Sequence, residues 1–352
     1  MERTEIDTYI PLIDYLKRAR GLDLSGYKSA GLIRRINKRM SMVGIESLPD
    51  YIDYLEVHPE EFNLFFDTIL INVTGFFRDP AAWEYLAKEI IPKILANRRK
   101  DEAFRAWSTG CATGEEAYSI AMLLSEAMGE DAYRDQVKIY ATDIDDGALA
   151  KARSATYTEK DVQDIPPELR EKYLVRSGSA YTLNKELRRS VIFGRNNLVN
   201  DAPISRVDLL VCRNTLMYFT AEMQSKILAR FNFSLRDYGY LFLGKAEMLL
   251  THSHLFIPAD LKLRIFSKVP QFRNREHQAV TANLVGDKDS ESINGAGRLR
   301  DAALESSPVA QVILNQNNQL VNANEKARNL LGIKTSDLGR PFQDLDFSFK
   351  PV

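Results

Sequence analysis

From residue 101 onward the chain alternates short, continuously apolar runs with longer stretches of helical periodicity, and this alternation limits its fold more than any other feature. The runs are "FRAW" (104–107), "VKIYATD" (137–143), "SVIFG" (190–194), "VDLLVC" (207–212), "YGYLFLG" (238–244) and "LKLRIFS" (261–267). Strands that are apolar on both faces belong to a sheet covered on both sides, so the pattern predicts an α/β domain with a mostly parallel sheet between helical layers. No long helical pattern separates the last two runs. The intervening "KAEMLLTHSHLFIPAD" (245–260) reads as a loop, which predicts an antiparallel terminal strand.

Ahead of this region, residues 1–75 read as a small all-α domain. "IPLIDYLKRARG" stops at Gly21, and "SLPDYIDYLEVHPEEFNLFFDTIL" carries apolar residues at three- and four-residue spacing. Between Asp23 and Glu46 there is no acid, whereas Lys28, Arg34, Arg35, Lys38 and Arg39 share one segment with the apolar stripe Leu32, Ile33, Ile36 and Met40. Such a helix has either a solvated basic face or a docking surface for an acidic partner. The α/β domain occupies 76–268. Residues 269–300 are polar and aperiodic and read as a linker, and a new apolar pattern fills 301–352.

With 352 residues and a formal net charge of −1, no global field recruits nucleic acid or a membrane surface. No apolar run approaches the roughly 20 residues of a membrane span, and the charged N-terminus is unlike a signal peptide. The two cysteines, Cys111 and Cys212, fall at buried strand ends or loops without zinc-type spacing. The expectation is a cytoplasmic protein without a metal site, and His252 and His254 read as loop residues.

The chemistry-bearing residues fall in five places. In "INVTGFFRDP" (71–80), Asp79 and Pro80 read as the cap and first turn of a helix. Arg78 just before them, if buried, needs an anion, either a structural carboxylate or an incoming one. "AWSTGCATGEEAYSIAMLL" (106–124) is a strand, a loop with Gly110 and Gly114, and a helix opening on Glu115 and Glu116. The dinucleotide fingerprint is absent, and acids sit where a pyrophosphate would need bare N–H groups. A ligand with an ammonium or sulfonium charge fits Glu116 better. Dipole compensation, worth about 0.3–1 kcal/mol, is the plain alternative. The next strand ends in Asp143, placed to accept both hydroxyls of a ribose. Two further strands end in Asn196–Asn197 and Arg213–Asn214. Four strand ends then offer Glu116, Asp143, Asn197 and Asn214 to one crevice.

"NVTGFFRDP", "GCATGEEAYSIAM", "YATDID", "NNL" and "CRNTLMYF", in this order over roughly residues 10–268, resemble the CheR family of chemotaxis-receptor methyltransferases. The resemblance implies a class I S-adenosylmethionine-dependent methyltransferase fold behind a helical domain, with transfer of methyl groups to receptor glutamates and S-adenosylhomocysteine as product. It implies that Asn72, Thr74 and Arg78 contact the cofactor, with Arg78 reaching the reaction centre. Glu116, Asp143, Asn197, Leu198, Asn214 and Thr215 complete the cofactor contacts, and Tyr218 stands beside the transferred methyl group; as a plain core residue it would be buried with its hydroxyl satisfied. Residues from about 155 to 190 correspond to a small inserted subdomain that grips a receptor-tail peptide in some members. Ala117 stands where the family commonly has Pro, and Thr215 where it often has an apolar β-branched residue. "SPVAQVILNQNNQLVNANEKARNLLG" (307–332) resembles the start of a PAS sensory domain, of which only the first half fits before Val352; the expectation is either a fragment of a larger signalling protein or a truncated element for packing or self-association. The implied partner is the cytoplasmic domain of methyl-accepting receptors. The alternatives are a non-catalytic cofactor-binding adaptor joined to the PAS-like segment and a small-molecule methyltransferase, for which the basic helix has no evident use.

Overall fold

The computed structural model describes residues 6–70, 72–99, 102–247, 255–269, 305, 309–315, 318–334, 337 and 339–345. The chain divides into a unit over 1–271 and a second over 272–352. The linker expected over 269–300 lies almost wholly outside the described residues, as do His252 and His254.

The helical part of the first unit contains α1 (Ile10–Arg20), α2 (Ser29–Met42), α3 (Leu48–Val57) and α4 (Pro59–Ile69). Gly21 ends α1 at φ 68°, in the left-handed conformation that glycine adopts at no steric cost. Leu12, Leu16, Leu32, Ile36, Tyr51 and Phe65 form the core of this bundle. The basic face of α2 differs from the expectation. Arg39 is buried, its Nε donating to Glu61 Oε1 at 2.6 Å, with the Tyr51 hydroxyl donating to the same carboxylate at 2.9 Å. Arg35 donates to the Ile69 carbonyl at 2.6 Å and lies over the ring of Tyr218. Only Lys28, Arg34 and Lys38 of the five cations are exposed.

Helix α5 (Pro80–Tyr85) continues through a π-turn at Leu86–Ile90 into α6 (Ile91–Asn97) and leads to the sheet. Strand β1 (Phe104–Thr109) is followed by α7 (Glu115–Met128) and α8 (Glu130–Gln136), then by β2 (Val137–Asp143) and α9 (Asp146–Ser154). Strands β3 (Thr156–Thr158), β4 (Leu174–Ser177) and β5 (Ala180–Leu183) form a separate antiparallel sheet with α10 (Pro167–Tyr173), and α11 (Lys185–Ser190) returns the chain to β6 (Val191–Arg195). Then follow β7 (Val207–Cys212), α12 (Ala221–Ser234), β8 (Leu235–Leu243), β9 (Phe256–Asp260) and β10 (Ile265–Lys268).

The main sheet has the order β6-β2-β1-β7-β8-β10-β9. The first five strands run parallel, and β10 pairs antiparallel with both β8 and β9. The chain leaves β1 toward β2 and β6 on one side and returns to β7 on the other, so the crevice opens at the carboxyl ends of β1 and β7. β7 is buried along its whole length, as its unbroken apolar character requires. The antiparallel terminal strand is present. The loop reading of 245–260 needs correction, because its last five residues form edge strand β9.

In the second unit, β11 (Val312–Leu314) and β12 (Leu320–Ala323) form a hairpin followed by α13 (Glu325–Leu331). Asn324 caps α13 by accepting from Ala327 N, and Gly332 ends it at φ 67°. Leu320, Ala323, Ala327, Ile333 and Leu345 form its core.

Candidate active site

A cavity of about 320 Å³ opens at the carboxyl ends of the parallel strands, where the helical domain meets the sheet. All ten residues singled out in the sequence line it: Asn72, Thr74, Arg78, Glu116, Asp143, Asn197, Leu198, Asn214, Thr215 and Tyr218.

Its floor is the β1–α7 loop. Gly110 and Cys111 both donate their N–H to the Thr142 carbonyl, tying this loop to the end of β2. Gly110 has φ 69°, and a Cβ there would stand 2.3 Å from Thr215 Oγ1; a Cβ on Gly114 would stand 2.9 Å from that of Ala152. The glycines therefore allow close approach of protein to protein, the β1 loop against the β7 loop and against α9. Glu116, in the first turn of α7, accepts from Ser108 Oγ at 2.7 Å. Burial pushes its carboxyl up to about 7, against the opposing pull of Arg213 and the Ser108 hydroxyl. Ala117, where the family commonly has Pro, sits fully buried within an unbroken α7.

Asp143 accepts from Ala112 N at 2.8 Å and from Asp145 N at 3.0 Å, and burial raises its pKa despite those bonds. Asp145 caps α9 through Gly147 N and Ala148 N, and its other oxygen accepts from Asn72 Nδ2 at 2.5 Å. Asn72 is thus oriented by Asp145, two residues beyond Asp143. Two buried carboxyls on one cavity, whose burial favours the neutral form, offer a counter-charge to a positively charged ligand.

The β7 loop carries Arg213, Asn214 and Thr215, with Asn214 at φ 60°. Glu247, 4% exposed, holds this loop by accepting from Thr215 N at 2.7 Å and Leu216 N at 2.8 Å, and from Gly244 N at 2.6 Å. Tyr218 is half-buried in the cavity wall. Its ring lies under Arg35, with Cζ 5.1 Å from the centroid, and its hydroxyl has no hydrogen-bond partner among the described residues.

Arg78 departs from the sequence reading in two ways. Its side chain is exposed, and it forms no ion pair among the described residues, donating only to the Val73 carbonyl at 3.1 Å. Asp79 stands at the start of α5 with φ 64° and makes no capping bond. Its carboxylate pairs with Arg213 and Lys245 instead. Tyr27, Arg35, Asp145, Arg213 and Glu247 join or support the site without having been assigned to it from the sequence. For Asp145 the second acid of "YATDID", just before a helical pattern, is a readable cap signal. The others depend on contacts between distant segments. No cluster of metal-ligating side chains occurs among the described residues, and none of their helices is long and apolar enough to cross a membrane.

Comparison with known proteins identifies the family. The family described as CheR methyltransferase, SAM binding domain, matches residues 72–265, the CheR all-alpha domain matches 7–70, and a PAS domain matches 298–351. A 104.1 kDa protein of Rhodobacter capsulatus is 35% identical over 255 residues, 72% of this chain and 27% of that one. The chemotaxis protein methyltransferase of Listeria monocytogenes is 32% identical over 255 residues, 72% of this chain and 93% of the relative. That of Escherichia coli is 30% identical over 247 residues, 67% and 81% of the two chains. The chain belongs to the CheR methyltransferase family, with a class I fold, S-adenosylmethionine as cofactor and a PAS domain behind the SAM-binding domain.

Proposed function

We propose that the protein transfers methyl groups from S-adenosylmethionine to glutamate side chains in the cytoplasmic domain of methyl-accepting chemotaxis receptors. The products are glutamyl methyl esters and S-adenosylhomocysteine. The observation that carries this reading is that Arg78, without an ion pair among the described residues, shares one cavity with Tyr218, whose hydroxyl has no partner among them, and with the carboxyls of Glu116 and Asp143.

The donor set fits the cofactor. Asp143 would accept the ribose hydroxyls, and Glu116 would balance the cofactor's positive charge. Asn72, Thr74, Asn197, Leu198, Asn214 and Thr215 would complete the contacts. Bound, the cofactor supplies a methyl group made electrophilic by its sulfonium. A glutamate carboxylate is ionised at neutral pH and needs no general base, so the chain has only to align it within about 3–3.5 Å and exclude water. Arg78 would hold one carboxylate oxygen and Tyr218 would orient the group. A bidentate grip would withdraw the charge that makes the carboxylate a nucleophile, which favours a single contact. The exposed Lys28, Arg34 and Lys38 would meet an acidic receptor helix.

This reading assigns docking to 1–75, methyl transfer to 76–268 with an insertion at about 155–190, and any self-association to 301–352. It expects a cytoplasmic protein. The test incubates the protein with methyl-labelled S-adenosylmethionine and a receptor cytoplasmic fragment. Label in the fragment supports the transferase; cofactor binding without transfer supports a signalling adaptor instead.

A further inference from the structure

Arg213 closes β7 with its side chain 3% exposed, and its guanidinium is committed in two directions. Nη2 pairs with Asp79 Oδ2 at 2.5 Å, and Nη1 donates to the Arg78 carbonyl at 2.7 Å. That carbonyl also accepts from Trp83 Nε1 at 2.8 Å. The guanidinium lies over the Phe242 ring, with Cζ 4.7 Å from the centroid, and 5.8 Å from that of Trp83. The residues on either side of Arg78 are strained, Phe77 at φ 48° and Asp79 at φ 64°. Non-glycine residues keep that conformation only where their surroundings impose it. Phe77 N is held by Ser119 Oγ at 3.1 Å, so the turn is fixed on both sides of a side chain that stays exposed. Neutralising Asp79 does not by itself require Arg213, because Lys245 pairs with Oδ1. What Lys245 does not supply is the second bond, to the backbone of Arg78.

We propose that Arg213, paired with Asp79, is a positioning residue: it clamps the left-handed turn 77–79 so that Arg78 presents its guanidinium to the substrate carboxylate, and it ties that turn to the Asn214–Thr215 loop of the cofactor site. The inference rests on the role assigned to Arg78 above. The planar fork of arginine reaches carboxylate and carbonyl at once, which the single ammonium of lysine does not.

The experiment compares Arg213→Gln, Arg213→Lys and Asp79→Asn, each alone and with Arg78→Ala. It measures kcat and KM for a receptor fragment, cofactor affinity, melting temperature and, without cofactor, hydrogen exchange of the Trp83 indole N–H. Arg213→Gln is expected to lower kcat about 100-fold, the cost of a misplacement near 1 Å, with a much smaller loss of cofactor affinity. Arg213→Lys should restore little of the rate. The Trp83 indole should exchange faster as its acceptor carbonyl becomes mobile. In the Arg78→Ala background the Arg213→Gln loss should vanish, because there is no guanidinium left to position.

A kcat loss that adds in full to that of Arg78→Ala, or an unchanged exchange rate at Trp83, overturns the clamp. If Arg213→Gln does not fold, Asp79→Asn decides, since asparagine tolerates a left-handed φ but carries no charge to pair. A normal kcat there also overturns the clamp. Normal turnover in Arg78→Ala alone is a different outcome and refutes the role of Arg78 itself.

Discussion

If Glu116 balances the charge of the cofactor as proposed, binding acquires a measurable pH dependence. Burial holds its carboxyl up at about 7, whereas its ordinary value is 4.5. In the free protein about one molecule in ten is therefore ionised at this position at pH 6 and about nine in ten at pH 8. If the ionised form is the one that binds, the dissociation constant for S-adenosylmethionine is about tenfold larger at pH 6 than at pH 8, and binding at pH 6 releases nearly one proton. Because the folded value lies above the unfolded one, Glu116 costs the free protein nothing below pH 4.5. It costs progressively more as the pH rises through 7, to about 3 kcal/mol. Cofactor should thus raise the melting temperature more at pH 8 than at pH 6. Calorimetry in buffers of different ionisation enthalpy measures both the affinity and the proton count. Glu116→Gln should remove the slope attributable to this group and weaken binding chiefly at pH 8. Identical pH profiles for wild type and Glu116→Gln would refute the pairing.

Further predictions concern the other walls of the cavity. Asp143→Asn should weaken S-adenosylmethionine and S-adenosylhomocysteine alike, by roughly 1.5–3 kcal/mol, since the ribose hydroxyls lose a charged acceptor; equal affinities in wild type and variant would remove Asp143 from the site. Arg78→Ala should depress single-turnover rate far more than cofactor affinity or melting temperature, and Arg78→Lys should rescue poorly. Reversing Arg34 and Lys38 to Glu should slow methylation of a receptor fragment at low salt without changing cofactor affinity; no effect there means the face is simply solvated. Arg39→Ala should instead destabilise the fold by about 3–5 kcal/mol, read by denaturant unfolding, because Glu61 is left buried and unpaired.

What could be read from the sequence divides by the range of the interaction. Strand β7 and the helix α7 declare themselves through unbroken apolar runs and helical spacing, which are local properties. The site acids and amides were legible because a parallel sheet brings its strand ends together, so Glu116, Asp143, Asn197 and Asn214 had to converge. β9 carries no strand signal in the sequence, because "FIPAD" contains a proline and three exposed residues, a composition tolerated only at a sheet edge. Arg39 was readable in principle. It falls seven residues after Leu32 and three after Ile36, on the buried stripe of α2, and its charge obscured that position. Arg35 reaches across to Tyr218, Asp79 pairs with Arg213, and Glu247 binds the Thr215 backbone over 183, 134 and 32 residues. No local pattern encodes partners at such separations.

The proposed reaction is defined by the bond it makes, a methyl ester on a glutamate side chain. Methyl-labelled S-adenosylmethionine is incubated with the protein and a receptor cytoplasmic fragment, and the purified fragment is then treated with mild alkali. Glutamyl methyl esters hydrolyse and release the label as volatile methanol, and substituting the modified glutamates by alanine removes it. Release of the label as methanol, dependent on those glutamates, is the predicted result. Label that stays on the fragment through alkali, as an N-methyl group would, or no transfer by a protein that binds the cofactor, would contradict the account.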